Sequence, residues 1–367
     1  MSVAHTDDGR HIDASIGVLS GEGAQIEVES PEHAYPTTRA VSARVPVRDV
    51  DPTYYDEPVL KETPWAWAIP VYFYVGGLAG AASALAASAQ ALDRRGLGRM
   101  IQRAHRVAAL GEVVSGGLLI QDLGRPARFL YMLRVFRPTS PMSVGSWVLS
   151  ASGACSSVAV LCWGRRGVLG SIGAVAGAAA GPLGLALAGY TAVLLAGTAV
   201  PVWQGARRTL PPLFLGSAMA SVGSLLDLGP LSRRERVVAR SYGLIGKTVA
   251  LAGAALLELE VGQVPRVALP LHTGASGTLW QLARGLTGAS LLLSLLPGHG
   301  SRGRRVASGL LGTAGAMSLR WAIFQAGKSS ARDPRATFRQ QRAATSGRTR
   351  AECDESMGSR PFVSTRS

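Results

Sequence analysis

From Pro64 to about residue 326 the chain alternates long apolar runs with short polar connectors that carry most of its arginines. The first run opens at Pro64-Trp65-Ala66-Trp67 and reaches about Leu92, with Trp65, Trp67, Tyr72 and Tyr74 placed as an interfacial aromatic belt would be. Seven more follow, at about 105–121, 143–163, 181–200, 212–228, 238–257, 279–297 and 306–326. Each approaches the roughly 20 residues that a helix needs to cross a hydrocarbon layer about 30 Å thick. The pattern predicts an all-α integral membrane protein, a bundle of about eight transmembrane helices. The Gly/Ala-rich stretch 168–180 is too short to cross alone and reads as a lead-in to the fourth run; if it crossed, the count would be nine. Residues 63–326 thus form the transmembrane domain. Residues 1–62, with twelve acidic and five basic side chains, are expected to form a polar, partly disordered extension, and 327–367 a basic disordered tail.

Composition supports a lipid environment. Hydrophobic residues make up 47% of the chain and charged ones 17%, too few polar groups to coat a soluble globule of 367 residues. The 45 glycines lie largely inside the apolar runs, beside Ala and Ser, as in helices that pack closely in lipid. A net charge of +15 would suit nucleic acid, but the arginines fall in short clusters between apolar runs, where they contact membrane lipid and set orientation. Loops after runs one, three, five and seven hold fourteen arginines and the other three hold seven, which predicts the first group in the cytoplasm and both termini outside. The extension lacks an apolar core segment, so no signal peptide is expected. Cys155, Cys162 and Cys353 show no CxxC spacing, so no iron–sulfur cluster or structural zinc is expected from this chain.

An ionisable side chain at the centre of a membrane helix costs roughly 2.5–3.5 kcal/mol on insertion scales, so each one asks for a role. Glu112, Lys247 and Glu258 fall inside apolar runs, while Asp122, Asp227, Arg284 and Arg320 fall near run ends. Lys247 and Glu258 are eleven residues apart, three helical turns, and so share nearly one face. They read either as part of a proton path or as a lysine on neighbouring carbonyls and an interfacial glutamate. Haem needs histidine pairs at matching depth within the bundle, and only His105 lies near a run, at its arginine-rich edge, so no haem is expected.

The densest chemistry lies after the second run, Gln121-Asp122-Leu123-Gly124-Arg125-Pro126-Ala127-Arg128-Phe129, continuing through Phe136-Arg137-Pro138-Thr139-Ser140-Pro141-Met142 to Gly145-Ser146-Trp147. A carboxylate and several guanidinium groups at a membrane surface can dock a partner, bind a quinone carbonyl and its proton, or simply pair with lipid headgroups. The DLGRPARF and FRPTSPMSVGSW stretches resemble the signature of the NrfD/polysulfide-reductase membrane subunits. Gly189-Tyr190-Thr191-Ala192, Thr198-Ala199-Val200-Pro201-Val202-Trp203 and, more weakly, Ile69-Pro70-Val71-Tyr72-Phe73 agree with it, although Gly197 and Gly205 stand where polar residues belong.

That resemblance implies a subunit of an anaerobic-respiratory oxidoreductase that exchanges electrons between menaquinone or another quinone and a ferredoxin-like iron–sulfur subunit joined to a molybdopterin catalytic subunit. It implies Asp122 as proton acceptor and Arg125 as the group polarising the quinone headgroup. Tyr190, Trp147 and Trp203 would be ring contacts; Glu112, Lys247 and Glu258, singled out by their place within apolar runs and not by the resemblance, would serve proton transfer. Two other classes remain at this point: a secondary transporter with Glu112, Lys247 and Glu258 at a midplane ion site, and a bare membrane anchor.

Overall fold

The computed structural model of the chain describes residues 11–13, 18–20, 58–124, 126–296 and 301–342. Most of the extension, Arg125, Cys353 and residues 343–367 lie outside the described residues. Within the extension, β1 (His11–Asp13) pairs antiparallel with β2 (Val18–Ser20), His11 opposite Ser20.

The unit from Pro58 onward is helical. Eight helices of 18 residues or more occur among its described residues: α1 (Ala68–Asp93), α2 (Gly98–Leu123), α4 (Pro141–Leu161), α5 (Val168–Ala196), α7 (Leu210–Asp227), α8 (Arg233–Gly262), α10 (Gly274–Leu295) and α11 (Arg302–Ala331). Short helices α3 (Pro126–Arg134), α6 (Pro201–Gly205) and α9 (Pro265–His272) connect them. Each of the eight apolar runs falls on a long helix, and the 168–180 lead-in is continuous with the run after it, passing through Pro182. Local signals set the starts: Ser140 caps α4, Ser301 caps α11, and Ser232 with Glu235 forms a capping box on α8. α11 continues past residue 326 to Ala331, and residues 334–342 are again helical, so the helical body runs beyond the boundary read from hydropathy.

By length and composition α1, α4, α5 and α7 are apolar enough to cross a membrane. Of the most apolar window of α1, 78% is buried, against 33% for α4, which makes α1 the axis of the bundle and α4 a peripheral helix. Small residues let α1 and α5 touch backbone to backbone: a Cβ on Gly80 would sit 2.2 Å from the Gly184 carbonyl oxygen, and one on Gly184 2.4 Å from that of Gly80. The other four long helices owe their lower hydropathy partly to side chains turned inward, among them Glu112, Glu235, Lys247 and Arg320, each at most 3% exposed. Arg320 shows how such a charge is accommodated. Its Nε and Nη2 donate to the carbonyls of Phe73 (3.3 Å) and Phe214 (2.8 Å), and its guanidinium lies 3.8 Å over the Phe214 ring.

Candidate functional site

At the end of the bundle where α2 stops, the segment before α1 meets α1, α2, α3, α4 and α5 around a cleft enclosing about 50 Å³. α2 stops because Gly124 takes a left-handed conformation (φ 70°) and its N–H closes onto the Gln121 carbonyl, which leaves Asp122 on the last turn, facing the cleft. The Asp122 carboxyl group sits against the backbone of Ala66. Opposite, α5 presents Tyr190, whose buried hydroxyl lies against the Gly145 backbone and has no well-formed hydrogen bond among the described residues, leaving its O–H donor unused. The Tyr190 ring packs closely against α4 only because residue 145 is glycine: a Cβ there would be 2.1 Å from the ring. Trp65, Tyr72, Phe73 and Phe129 supply aromatic walls, and Met132 and Met142 supply deformable ones. A cleft with apolar faces, one carboxyl group and one unpartnered hydroxyl suits a flat, largely apolar ligand that carries a hydrogen-bond acceptor.

Two sequence candidates thus come together, Asp122 and Tyr190; Arg125 lies outside the described residues, and the other candidates are placed elsewhere. Trp203, read as a ring contact, is a buried packing residue. It is 0% exposed, donates from Nε1 to the Ile323 carbonyl (2.8 Å) and stacks on Trp65 at 5.9 Å and 22°. It therefore braces the cleft wall from behind. Trp147 does not line the cleft; it is 38% exposed and packs edge-on against Phe136 at 6.2 Å. Lys247 and Glu258 do share the face of α8 that meets α10, but not one polar seam. Lys247 Nζ bonds Ser294 Oγ (2.8 Å) and Ser308 Oγ (3.3 Å), whereas Glu258 accepts from Trp280 Nε1 (2.7 Å) and from Arg284. Eleven residues of helix, about 16 Å, separate them.

Glu112 is buried in α2, accepts a hydrogen bond from Ser152 Oγ on α4, and keeps one carboxylate oxygen without a partner among the described residues. Ser83 and Ser156, 3.0 Å apart, lie beside it. Between Glu112 and the cleft stands the buried Ser115, close to Gly76 as Tyr72 is. His105, read as interfacial, is instead 1% exposed, enclosed by Trp163 and by α5 at Gly177. No group of three His, Cys, Asp or Glu side chains able to hold a metal ion occurs among the described residues.

Tyr72, Phe73 and Trp65 were singled out in sequence only as an aromatic belt or a weak motif. Their cleft-lining role depends on α1 being central, which hydropathy does not reveal. Trp65 is also held from outside: Lys328 Nζ donates to its carbonyl (3.0 Å), and Glu62, three residues earlier, accepts from Arg332 Nε (2.8 Å) and Nη2 (3.0 Å) and lies 3.4 Å from Lys328. Hydrogen bonds from Arg332 hold the Glu62 carboxyl below its ordinary value of 4.5, against an opposing contribution from partial burial, with Lys328 adding to the lowering. A depressed carboxylate pKa stabilises the fold above the unfolded-state value, and that contribution is lost as pH falls through the folded-state value. Glu62→Gln should therefore lower the thermal midpoint at pH 7, and parent and variant should converge as the pH drops below 4.5. A difference that persists unchanged into acid would rule out the ionic clamp.

Long helices that bury polar groups, several of them apolar enough to cross a membrane, define a multi-pass helical membrane protein with an aromatic cleft at one end of the bundle. Residues 58–330 match the model of the NrfD polysulphide reductase family, and the chain belongs to that family. No curated protein matched the chain significantly. Glu112 and the residues that line the cleft, Asp122 and Tyr190 among them, all fall within the matched region.

Proposed function

We propose that this chain is the quinone-interacting membrane subunit of a multi-subunit oxidoreductase, passing electrons between menaquinol or menaquinone and an iron–sulfur partner subunit of a molybdopterin enzyme. The observation that carries this reading is the unpartnered Tyr190 hydroxyl facing Asp122 across an aromatic cleft. In this reading all eight long helices cross the cell membrane, both termini lie outside, and the partner docks on the surface that bears residues 122–141.

A quinol supplies two electrons and two protons when bound. The residues of this chain position it and handle the protons. Trp65 and Phe73 offer apolar faces that exclude water from the ring, and the Met132 and Met142 side chains yield to admit it. Tyr190 Oη–H donates to a headgroup oxygen, fulfilling a hydrogen bond that the protein leaves unmade. Asp122, on the last turn of α2, takes a proton at its carboxylate and releases it to the nearby aqueous surface. Glu112 provides a second proton-holding group deeper in the bundle, with Ser115 and Tyr72 between it and the cleft.

Trp65 in the cleft wall makes binding observable. Titrating the purified chain with a menaquinone analogue should quench tryptophan fluorescence saturably. Tyr190→Phe, which removes only the unpartnered donor, should weaken that binding by about 1 kcal/mol, roughly fivefold in Kd. Quenching that never saturates would leave the chain a bare anchor.

A further inference from the structure

A larger cavity, of about 410 Å³, lies between the ends of α7, α8, α10 and α11. It is remote from the cleft. Arg304 and Arg305 line it at the start of α11, whereas Lys328, near the end of that helix, holds the Trp65 carbonyl. Some 24 residues of helix between these points span about 36 Å, so the two sites occupy opposite ends of the bundle. Among the described residues, five arginines, Arg233, Arg236, Arg240, Arg304 and Arg305, line the cavity together with one carboxylate, Asp227. Asp227 already faces Arg236, Arg240, Arg305 and Lys247. Lys247 sits beneath the cavity on Ser294 and Ser308, both of which also line it. Arg236 and Arg240 donate to the carbonyls of Leu231 (3.0 Å) and Ser294 (2.5 Å), contacts that orient the guanidinium groups without cancelling their charge.

One side of the cavity is apolar. Val237, Leu293 and Leu296 line it, and Val237 and Leu296 remain largely exposed on the outer face of the bundle. Such a cavity, in the size range of ligand sites, offers guanidinium forks for tetrahedral oxyanions and an adjoining greasy wall. It is bounded by the arginine-rich connectors that the positive-inside pattern puts at the cytoplasmic surface, where anionic lipids concentrate.

We propose that this cavity binds a phosphate-bearing anion, and that an anionic phospholipid supplies it, with the headgroup phosphate among the arginines and the acyl chains along Val237, Leu293 and Leu296. The site is independent of the quinone reading. A soluble phosphate would satisfy the guanidinium groups but leave the apolar wall unused, and this difference separates the two sources.

The test uses the full chain, delipidated in a phosphate-free neutral detergent, with thermal unfolding and native mass spectrometry as readouts. Phosphatidylglycerol should raise the unfolding midpoint saturably and remain bound in the mass spectrum, while phosphatidylcholine should do neither. Arg233→Gln combined with Arg304→Gln should weaken phosphatidylglycerol binding by about tenfold or more, and the corresponding double Lys variant should recover part of it. Arg165→Gln with Arg166→Gln, in another loop, should leave the affinity unchanged. If inorganic phosphate alone matches the lipid, the phosphate site stands and its source is soluble. Equal responses to the two lipids, or an Arg233→Gln single variant and a double variant that both bind phosphatidylglycerol like the parent, would overturn the proposal.

Discussion

On the quinone-subunit reading proposed above, Asp122→Asn is expected to cut quinol turnover by about 10²- to 10⁴-fold while the chain still assembles with the iron–sulfur partner that this reading assigns it. The substitution keeps the size of a side chain on the final turn of α2 while removing its charge and its capacity to take a proton. The helix should be indifferent to it, since α2 is closed by the Gly124 N–H on the Gln121 carbonyl rather than by the carboxylate. The pairing of readouts matters: turnover measured in the reconstituted complex reports the chemistry, and co-purification reports docking. Loss of turnover with intact assembly is the expected result. A variant that assembles and turns over quinol like the parent would move the proton acceptor elsewhere, with Glu112 first in line because its second carboxylate oxygen is buried without a partner among the described residues.

The second large effect concerns Trp203. Trp203→Ala should destabilise the chain by about 3–5 kcal/mol, the cost of deleting a large buried aromatic, and lower the thermal midpoint by roughly 10 °C. The ring is fully buried, stacks on Trp65 and donates to the Ile323 carbonyl, so its loss empties the wall behind the cleft as well as the core. Trp203→Phe separates packing from ligand contact. Because Trp203 touches Trp65 and not the cleft, the phenylalanine variant should restore much of the stability and keep quinone affinity near that of the parent. Affinity lost at near-parental stability would instead make Trp203 a ring contact.

Each apolar run from 64 to 326 lies on a long helix because hydropathy and helical satisfaction of backbone polar groups act together in such a chain. The helix limits were less legible. α2 begins at Gly98 and α8 at Arg233, well before the apolar runs near 105 and 238, because arginine is a good helix former and the polar first turns continue the helix where hydropathy falls. α11 likewise continues through Lys328, held by its bonds to Trp65 and Glu62. His105 illustrates the opposite error: its neighbours in sequence are arginines and suggest an edge, but Trp163 and the glycine face of α5 close over it.

For the site, local sequence was informative where chemistry is carried by a rare group in a distinctive motif. Asp122 and Tyr190, 68 residues apart, were singled out for different reasons: Asp122 is a carboxylate at the end of an apolar run within a distinctive motif, and Tyr190 lies in a stretch that resembles the family. That they face one cleft was decided only by the packing of α2 and α5 around α4, with Gly145 leaving room for the tyrosine ring. The same packing turned Trp203 inward and Trp147 outward and gave Lys247 and Glu258 separate partners, although their spacing on α8 suggested a shared one. By itself the sequence determined the helical class, the family signature and the rare polar groups, since these follow from composition and from contacts within a turn or two. The tertiary structure decided which of those groups meet, because the side chains that share a site come from helices far apart in the chain, and only their close approach selects the pairs.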